Sequence, residues 1–572
     1  MKSTLATAVA AFVLTIFVFS PSEVFFGNAL EFDAGLFGSI LTGVAVAAAV
    51  GLILFLLSSI LIRVDDDQFA ERLPAVFMAL AVGALLQGTY LGWNFGALDG
   101  QQIDWSQPLA IALAGIAVWF IPFVAPLIFP NLRKPELVRT VSTFVILIQA
   151  VLFVVNFATK ERYVAHKEYS VDRTSMVEFS ADQNAVVLVL DAFQCDVFSD
   201  VMVQHPSKVA SYDGFTYFPN AVASSSQTFP SLPAILTAQL YDNSQPTADY
   251  LEAAYTTSSL PSSLREAGIR TELFPAINGT VFFTPDIADN AIPREVSLAA
   301  NWQVIKYGIK RSAPVWLKRW ILESEAKSRR AARAAAFREG RGFVTTHPWD
   351  NLAFRERIPS ATVVQKPKTF KFIHLEGIHV PLRFDEDMVP VQVMYSRDSL
   401  TAQAAGIAGL VSELLERMKS LGVYDDSAIY ILGDHGSGRD EGTWVNPSDP
   451  SNVAFNQLKA RGCPLFLAKP PGASHSGINV SLAPVDLTDV PVSIFDDLDL
   501  PLLNTPLRTD GSSPPKPVFS ISEDEQRVRV YYSYVWERFN SEYLTPMQGY
   551  LIEGDVRDDA NWRLGPMLVA NP

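Results

Sequence analysis

The first 160 residues contain five long apolar runs, and none of these runs contains a charged side chain. Four of the runs are long enough to cross a bilayer as helices, and the first is of marginal length. Adjacent uncharged runs of this length are not typical of core helices in a soluble protein. The sequence therefore predicts five transmembrane helices within residues 1–160, at Leu5–Phe19, Leu36–Ile62, Leu73–Trp93, Pro108–Pro130 and Val141–Ala158.

The loops between these runs differ in basic residues, and the difference predicts an orientation. Pro21–Gly35 and Asn94–Gln107 contain neither Lys nor Arg. Basic loops stay in the cytoplasm, so the N-terminus is predicted to be cytoplasmic and the chain beyond Lys160 to be outside. We expect a multi-pass protein of the cytoplasmic (inner) membrane whose catalytic domain is periplasmic or extracellular. The basic residues of the other loops are Lys2, Arg63, Arg72, Arg133, Lys134 and Arg139.

From about Asn184 the pattern changes to short β-branched strands between helices. Strands covered on both faces are near-continuously apolar. Four stretches have this pattern: Ala185–Leu190, Thr369–Leu375, Ser427–Gly433 and Cys463–Lys469. A helical pattern at Thr401–Gly422 ends in glycine, as helices commonly do. We predict an α/β sandwich at 184–505, a juxtamembrane linker at 161–183 and a strand-rich closing segment at 506–572.

Charge and cysteine content limit what the chain does. Its formal net charge of -15 excludes nucleic-acid binding by bulk electrostatics. The two cysteines, Cys195 and Cys463, either pair outside the cytoplasm or remain buried free thiols. The basic stretch between Trp302 and Phe343 interleaves aromatic and basic side chains. It is either a helix at a membrane surface or a solvated helical insertion.

Acidic and histidine side chains follow three of the predicted strands. Asp191 follows the first, His379 comes after the second, and the pair Asp434 and His435 follows the third. Ligands gather at the carboxyl ends of the strands in an α/β sheet. Aspartate and histidine are suitable ligands for Zn²⁺ or Mn²⁺. The sequence therefore predicts one divalent-metal site at this edge.

The stretch SSSQTFPSLPAILTA, Ser224–Ala238, places several hydroxyl side chains ahead of a predicted helix. These hydroxyls either cap the free N–H groups of the first helical turn or include a nucleophile. The N–H groups and the dipole at a helix N-terminus favour a bound anion. A nucleophile here would therefore be placed to attack an anionic ester.

With these segments in this order, the chain from Asn184 to about Leu503 resembles the alkaline phosphatase and sulfatase superfamily. When the stretch is aligned with the sulfatase sequence motif, Thr228 occupies the position of the nucleophile. The lipid A phosphoethanolamine transferases carry a Thr three residues before a Ser-x-Pro, and alignment with that motif selects the same Thr228. The residues that match one or both motifs are Pro230, Ser231, Pro233, Leu236 and Thr237. The resemblance implies that Thr228 both attacks the substrate and binds the metal.

The remaining histidines are interpreted from the same resemblance. His379 matches the second His of a His-x-x-Gly-x-His-x-Pro region in the phosphoethanolamine transferases, where it contacts substrate or a second zinc. His374 is the other candidate for this role, but it falls within a predicted strand, where it is equally interpreted as a packed core residue, and we favour His379. The later histidine of those transferases is missing here, which leaves a second metal without support. His475 is interpreted as a surface-loop residue.

Two departures from the sulfatases bear on the reaction. Thr228 cannot be converted to formylglycine, and Leu232 replaces the sulfatase arginine, so sulfate-ester hydrolysis is not expected. Together with the five predicted helices, the resemblance implies a membrane-anchored, metal-dependent transferase that acts through a phosphothreonine. The expected donor is phosphatidylethanolamine or phosphatidylglycerol, and the expected acceptor is a cell-envelope glycan or glycolipid. The alternatives are a hydrolase or phosphodiesterase with water as acceptor, or a catalytically degenerate membrane assembly protein.

Overall fold

The structure is a computed structural model that describes residues 1–27, 32, 34–64, 67–91, 109–165, 169–257, 259–276, 280–293, 297–338, 350–391, 393–438, 453–501, 510–534, 543–544 and 546–570. The chain divides into two compact units. The first unit comprises Met1–Leu98, Gln102–Glu168 and Arg294–Arg341. The second unit comprises Asp99–Gln101, Tyr169–Pro293 and Gly342–Pro572.

The elements are numbered separately as helices and strands. The α-helices are α1 (Lys2–Leu14), α2 (Ser20–Gly27), α3 (Leu36–Val64), α4 (Asp67–Tyr90), α5 (Leu109–Ile128), α6 (Pro135–Ala165), α7 (Cys195–Gln204), α8 (Thr228–Thr237), α9 (Thr247–Thr257), α10 (Leu260–Glu266), α11 (Leu298–Ser312), α12 (Val315–Arg338), α13 (Asn351–Arg357), α14 (Arg397–Ser420), α15 (Val453–Gly462) and α16 (Asp489–Asp497). The strands are β1 (Tyr169–Val171), β2 (Glu178–Ser180), β3 (Asn184–Leu190), β4 (Thr216–Tyr217), β5 (Arg270–Phe274), β6 (Ala291–Pro293), β7 (Thr362–Val364), β8 (Thr369–Leu375), β9 (Ala428–Leu432), β10 (Phe466–Lys469), β11 (Asn479–Val480), β12 (Val528–Ser533), β13 (Met547–Glu553) and β14 (Trp562–Leu568).

The first unit contains the apolar N-terminal helices, and their number corrects the predicted five. Within the described residues, four helices are long and apolar enough to cross a membrane: Lys2–Gly27, Leu36–Ile62, Glu71–Tyr90 and Pro135–Thr159. A π-helical turn at Thr15–Phe19 joins α1 to α2 within the first of them. The predicted span Pro108–Pro130 corresponds to α5, whose described apolar part, Leu113–Ile128, is shorter than a membrane span.

The second unit is built on a seven-stranded sheet with the order β11-β4-β10-β9-β3-β8-β5. Strands β9, β3, β8 and β5 pair in parallel, whereas β10 is antiparallel to β9. Every residue of β3, β8 and β9 is buried, which explains their near-continuous apolar sequences. The sheet and its helices form the predicted α/β domain.

Two segments differ from the predicted organisation of the chain. Arg294–Arg341 clusters with the apolar helices of the first unit, although the predicted 184–505 domain includes it. Strands β1 and β2 fall within the predicted linker and belong to the second unit. Cys195 and Cys463 are free and buried, and the N–H of Cys195 donates to the Cys463 carbonyl at 3.0 Å.

Candidate metal centre and nucleophile

Strand register brings three potential ligands to one face of the sheet. His374 in β8 and Leu432 in β9 both lie opposite Val189 in β3. Side chains alternate between faces with a period of two, so Asp191 and Asp434, two residues after Val189 and Leu432, extend toward the face of His374. One ligand atom from each of Asp191, His374 and Asp434 lies within 4.8 Å of the others.

Backbone contacts fix Asp191 at the end of β3. Its N–H donates to the Leu375 carbonyl at 3.1 Å, and its carbonyl accepts from the Ile378 N–H at 3.0 Å. Gly377 has a positive φ of 57°, and a Cβ on it would lie 2.5 Å from the Asp191 nitrogen. The Asn351 side chain donates to the Gly377 carbonyl at 2.9 Å and accepts from its N–H at 3.0 Å. Only glycine meets both the conformation and the close approach at this position.

The carboxylate of Asp434 and Nε2 of His435 both lie close to Asp191 and to each other. Oδ1 of Asp434 accepts from the N–H groups of Ala192 at 3.0 Å and His435 at 2.9 Å. Nδ1 of His435 lies 2.9 Å from the Gly436 carbonyl oxygen. Because a carbonyl only accepts, the proton is on Nδ1 and the lone pair is on Nε2. That Nε2 lies 3.5 Å from Oδ2 of Asp434 and 4.0 Å from Oδ1 of Asp191.

Thr228 is the first residue of α8, and its hydroxyl is directed at this cluster. Its Oγ1 lies 3.5 Å from Oδ2 of Asp191 and 3.4 Å from Nε2 of His435. The preceding residue, Gln227, has an extended backbone and makes no side-chain capping hydrogen bond. The Thr228 hydroxyl therefore faces the carboxylate and imidazole groups at a helix end whose first N–H groups have no intrahelical partner.

The loop before Thr228 is held by the closing segment and by α15. The N–H of Tyr532 in β12 donates to the Ser224 carbonyl at 3.1 Å, and its carbonyl accepts from the Ser226 N–H at 3.0 Å. Arg461 donates to the Ser226 carbonyl at 2.6 Å. The C-terminal strands thus position the loop that carries Thr228.

The cluster has the properties of a divalent-cation site. Oδ1 of Asp191, Oδ2 of Asp434 and both ring nitrogens of His374 are buried, and none has a hydrogen-bond partner among the described residues. An unsatisfied buried polar group costs about 1–3 kcal/mol, and a charged one costs more. Ligands bound at about 2.0–2.1 Å in a tetrahedral zinc site are about 3.4 Å from each other. Four separations in the cluster are 3.4–3.5 Å, so neighbouring side chains are spaced as ligands of such an ion. They join Thr228 Oγ1 to Asp191 Oδ2 and to His435 Nε2, His374 Nε2 to Asp191 Oδ2, and His435 Nε2 to Asp434 Oδ2.

Imidazole groups around Asp191 keep its carboxyl group ionised. Burial raises the pKa of Asp191, but its interactions with the imidazoles of His379, His374 and His435 lower the pKa to about 2. Burial lowers the pKa of His435 below its usual 6.5, against the attraction of Asp434 and Asp191. At neutral pH Asp191 is therefore an anion and His435 is neutral, as metal ligation requires.

The structure brings together Asp191, Thr228, Asp434 and His435. The other predicted histidines differ in their position relative to this cluster. The charge of His379 acts on Asp191, and its Nδ1 lies 2.6 Å from the Val380 carbonyl oxygen, so Nε2 remains for a substrate. His374 is fully buried, as a core residue would be, but its Nε2 lies 3.4 Å from Oδ2 of Asp191. His475 lies in the loop between β10 and β11.

The sequence interpretation favoured His379 over His374 and did not include His374 among the ligands of the metal. His374 sits one residue before the end of β8, and burial alone does not distinguish a ligand from a packed imidazole. The signal lies in the pairing of His374 with Val189, because the face shared with Asp191 follows from that register.

Comparison with known proteins extends these observations. A protein-family model described as Sulfatase matches residues 183–499, more than half of the chain. No curated protein matches the chain. Similar solved structures include Ps i-CgsB in complex with k-i-k-neocarrahexaose (13% identity, 67% of this chain and 85% of that chain covered, TM-score 0.41). Others are the lipoteichoic acid synthase LtaP from Listeria monocytogenes (12%, 71% and 91%, 0.35) and the C-terminal periplasmic domain of EcEptC from Escherichia coli in complex with Zn (14%, 64% and 91%, 0.36).

Proposed function

This chain belongs to the sulfatase family and is an enzyme, and from that premise we propose that it is a membrane-anchored, metal-dependent phosphotransferase with Thr228 as its nucleophile. The observation that carries the proposal is the position of the Thr228 hydroxyl. It lies at a helix N-terminus, 3.5 Å from Asp191 and 3.4 Å from His435. Beside it are buried ligand atoms without a hydrogen-bond partner among the residues that the structure describes.

The metal would be held by Asp191, Asp434, His435 and Thr228. The contact of His374 with Asp191 supports His374 as a further candidate ligand. When bound, a Zn²⁺ or Mn²⁺ ion supplies positive charge that lowers the pKa of a coordinated hydroxyl. The Nδ1–H of His435 donates to a carbonyl and keeps the Nε2 lone pair directed inward. The ionised carboxyl of Asp191 accepts the hydrogen bond of the Thr228 hydroxyl and orients its oxygen.

In the proposed reaction the Thr228 hydroxyl gives up its proton to water, its oxygen attacks phosphorus, and the bond from phosphorus to the leaving oxygen breaks. The N–H groups of the first turn of α8 stabilise the phosphoryl oxygens. His379 in its doubly protonated form donates the Nε2 proton to the leaving oxygen, while its Nδ1–H donates to the Val380 carbonyl. The product is a phosphothreonine diester. An acceptor hydroxyl then attacks its phosphorus, gives its proton to Nε2 of His379, and the bond from phosphorus to the Thr228 oxygen breaks.

The apolar helices support a lipid donor. Four helices of membrane length precede the catalytic unit in the part of the chain that the structure describes, so a phospholipid donor would lie in the membrane to which the enzyme is anchored. We propose that the donor is phosphatidylethanolamine or phosphatidylglycerol, that the leaving group is diacylglycerol, and that the acceptor is a cell-envelope glycan or glycolipid. The unequal distribution of basic residues between loops supports a catalytic unit outside the cytoplasm.

A second candidate is favoured by the family itself. The Sulfatase match covers the whole predicted site, and a hydrolase or phosphodiesterase would use the same Thr228 with water as acceptor. The two reactions share the first step and differ only in the second.

The test is mass spectrometry of the peptide containing Ser224–Ala238 after the full chain is incubated with mixed phospholipid vesicles and rapidly quenched with acid. A phosphoethanolamine or phosphoglycerol adduct on Thr228 is expected, and its mass identifies the donor. Thr228→Ala is the matched control and should carry no adduct. Headgroup transfer without any adduct in the wild-type chain would exclude the covalent mechanism.

A further inference from the structure

We propose that α11 and α12 form an amphipathic segment that binds the acidic phospholipid headgroups of the membrane at one end of the helical bundle. The segment Arg294–Arg341 clusters with the apolar helices in the first unit. The proposal concerns attachment to the membrane surface and does not depend on the reaction at Thr228.

Helix α11 packs closely on the end of the first span. The Ser20 hydroxyl donates to the Gly308 carbonyl at 2.9 Å, and the Ser312 hydroxyl donates to the Ser20 oxygen at 2.8 Å. A Cβ on Gly308 would lie 2.4 Å from a ring carbon of Pro21. This glycine therefore permits α11 to touch the backbone of the membrane helix.

Two other contacts place α11 at the same end of the bundle. Nδ2 of Asn301 donates to the Thr42 hydroxyl near the start of α3 at 3.3 Å. Arg311 pairs with Glu23 at 2.8 Å and donates to the Gly88 carbonyl near the end of α4 at 3.0 Å. Consecutive spans run in opposite directions, so the end of the first, the start of the second and the end of the third lie at one membrane surface. Helix α11 is therefore held at the depth of the headgroups.

The outer faces of these helices carry large aromatic side chains that are exposed in the first unit. Trp316 and Trp320 lie one turn apart in α12 and are 69% and 65% exposed. Trp302 and Tyr307 are also exposed on α11. Exposed tryptophans at the end of a membrane bundle are typical of side chains that insert between headgroups. Their apolar rings would be buried by lipid.

The charge of the segment matches an acidic lipid surface. Between Leu298 and Arg338 the sequence has ten basic and two acidic residues, in a chain whose net charge is -15. Of these residues, Lys306 has an exposed side chain on α11. Basic residues near an anionic membrane surface are attracted to its headgroups. Basic residues interleaved with tryptophans are the pattern of a helix that lies in the membrane plane.

The segment also adds covalent links between the two units of the chain. The segment interrupts the second unit between Pro293 and Gly342. The second unit is therefore linked to the membrane unit at both ends of this segment in addition to the link after α6.

The experiment measures depth with spin labels on the full chain in lipid nanodiscs that contain phosphatidylglycerol. Single cysteines replace Trp316 or Trp320, with Leu52→Cys as the lipid-facing control and Val203→Cys as the water-exposed control; their exposures are 59% and 81%. The unsubstituted chain, whose Cys195 and Cys463 are buried, is the labelling blank. Collisions with oxygen and with a water-soluble nickel complex are compared for each label.

We expect the labels at 316 and 320 to be at least about threefold less accessible to nickel than the label at 203, and more accessible to oxygen. Discs made of zwitterionic lipid alone should reduce this protection, because the basic residues would lose their attraction. Water-like accessibility at both positions in acidic discs would overturn the proposal. Protection that does not change with lipid charge would overturn the acidic-headgroup assignment and leave insertion driven by the aromatic rings alone.

Discussion

Nε2 of His374 lies 3.4 Å from Oδ2 of Asp191, in a pocket where neither residue is more than 2% exposed. This separation is longer than an ordinary hydrogen bond and equals the spacing of about 3.4 Å between two ligands of one tetrahedral zinc ion. The pair therefore defines one edge of the proposed metal site. Its consequences are open to test without knowledge of the substrate.

Replacing His374 by glutamine should weaken zinc binding by at least about tenfold, because the change removes an imidazole that points at the site. His475→Gln is the matched control, since His475 lies in the loop between β10 and β11. Competition with a chromophoric chelator on the full chain measures both affinities. An unchanged zinc affinity for His374→Gln would show that His374 is a packed core residue and not a metal ligand.

Replacing Thr228 by alanine should lower kcat by about 10³-fold or more, because the change removes the hydroxyl proposed to form the covalent intermediate. Thr228→Ser retains the oxygen and should keep measurable activity. Headgroup release and transfer from labelled phospholipid measure these rates. Wild-type turnover by Thr228→Ala would mean that the hydroxyl has no covalent role.

Much of the second unit can be predicted from the sequence because its central strands are buried throughout. Strand β8 has the predicted bounds, Thr369–Leu375, and β3 begins one residue earlier than predicted. Asp191 and Asp434 were identified because each directly follows such a strand. The role of His374 was not predictable in this way, because it depends on which residue of β3 lies opposite it.

The first unit shows where local patterns are insufficient. The basic composition of α11 and α12 indicates a membrane-surface helix or a solvated insertion, and the sequence alone leaves both open. The structure groups this segment with the apolar helices through contacts such as Ser20 to Gly308. Such contacts join residues that are distant in sequence, and no periodicity in either segment encodes them.

Zinc affinity should be nearly constant above pH 7 and fall as the pH decreases below the usual histidine range. Burial lowers the pKa of His435 below 6.5, so this ligand is neutral at pH 7 and binds a competing proton only in more acidic solution. Asp191, with a pKa of about 2, stays ionised throughout this range and does not contribute to the loss. Chelator competition between pH 5 and pH 9 is the measurement. A decline that begins between pH 9 and pH 7 would show that His435 is protonated near neutrality.

Replacing Gly377 by alanine should damage the metal site, whereas the same change at Gly472 should not. Both glycines have positive φ, 57° and 75°, so each substitution carries the left-handed backbone cost of about 1–2 kcal/mol. Gly472 has no other atom within 4 Å of the added Cβ. At Gly377 the Cβ would lie 2.5 Å from the nitrogen and 2.6 Å from the oxygen of Asp191, so the backbone that carries this ligand must move.

We expect Gly472→Ala to lower the thermal midpoint of the second unit by a few degrees, at about 2–4 °C per kcal/mol, and to leave zinc affinity unchanged. Gly377→Ala should lower the midpoint further and weaken zinc binding by at least about tenfold, because the Asp191 carboxyl is displaced from its partners. Thermal unfolding and chelator competition are measured on the same full-chain samples. Equal midpoints and equal zinc affinities for the two variants would show that the backbone at the end of β3 accommodates the added methyl group without further loss of thermal stability. Gly377 would then not position Asp191.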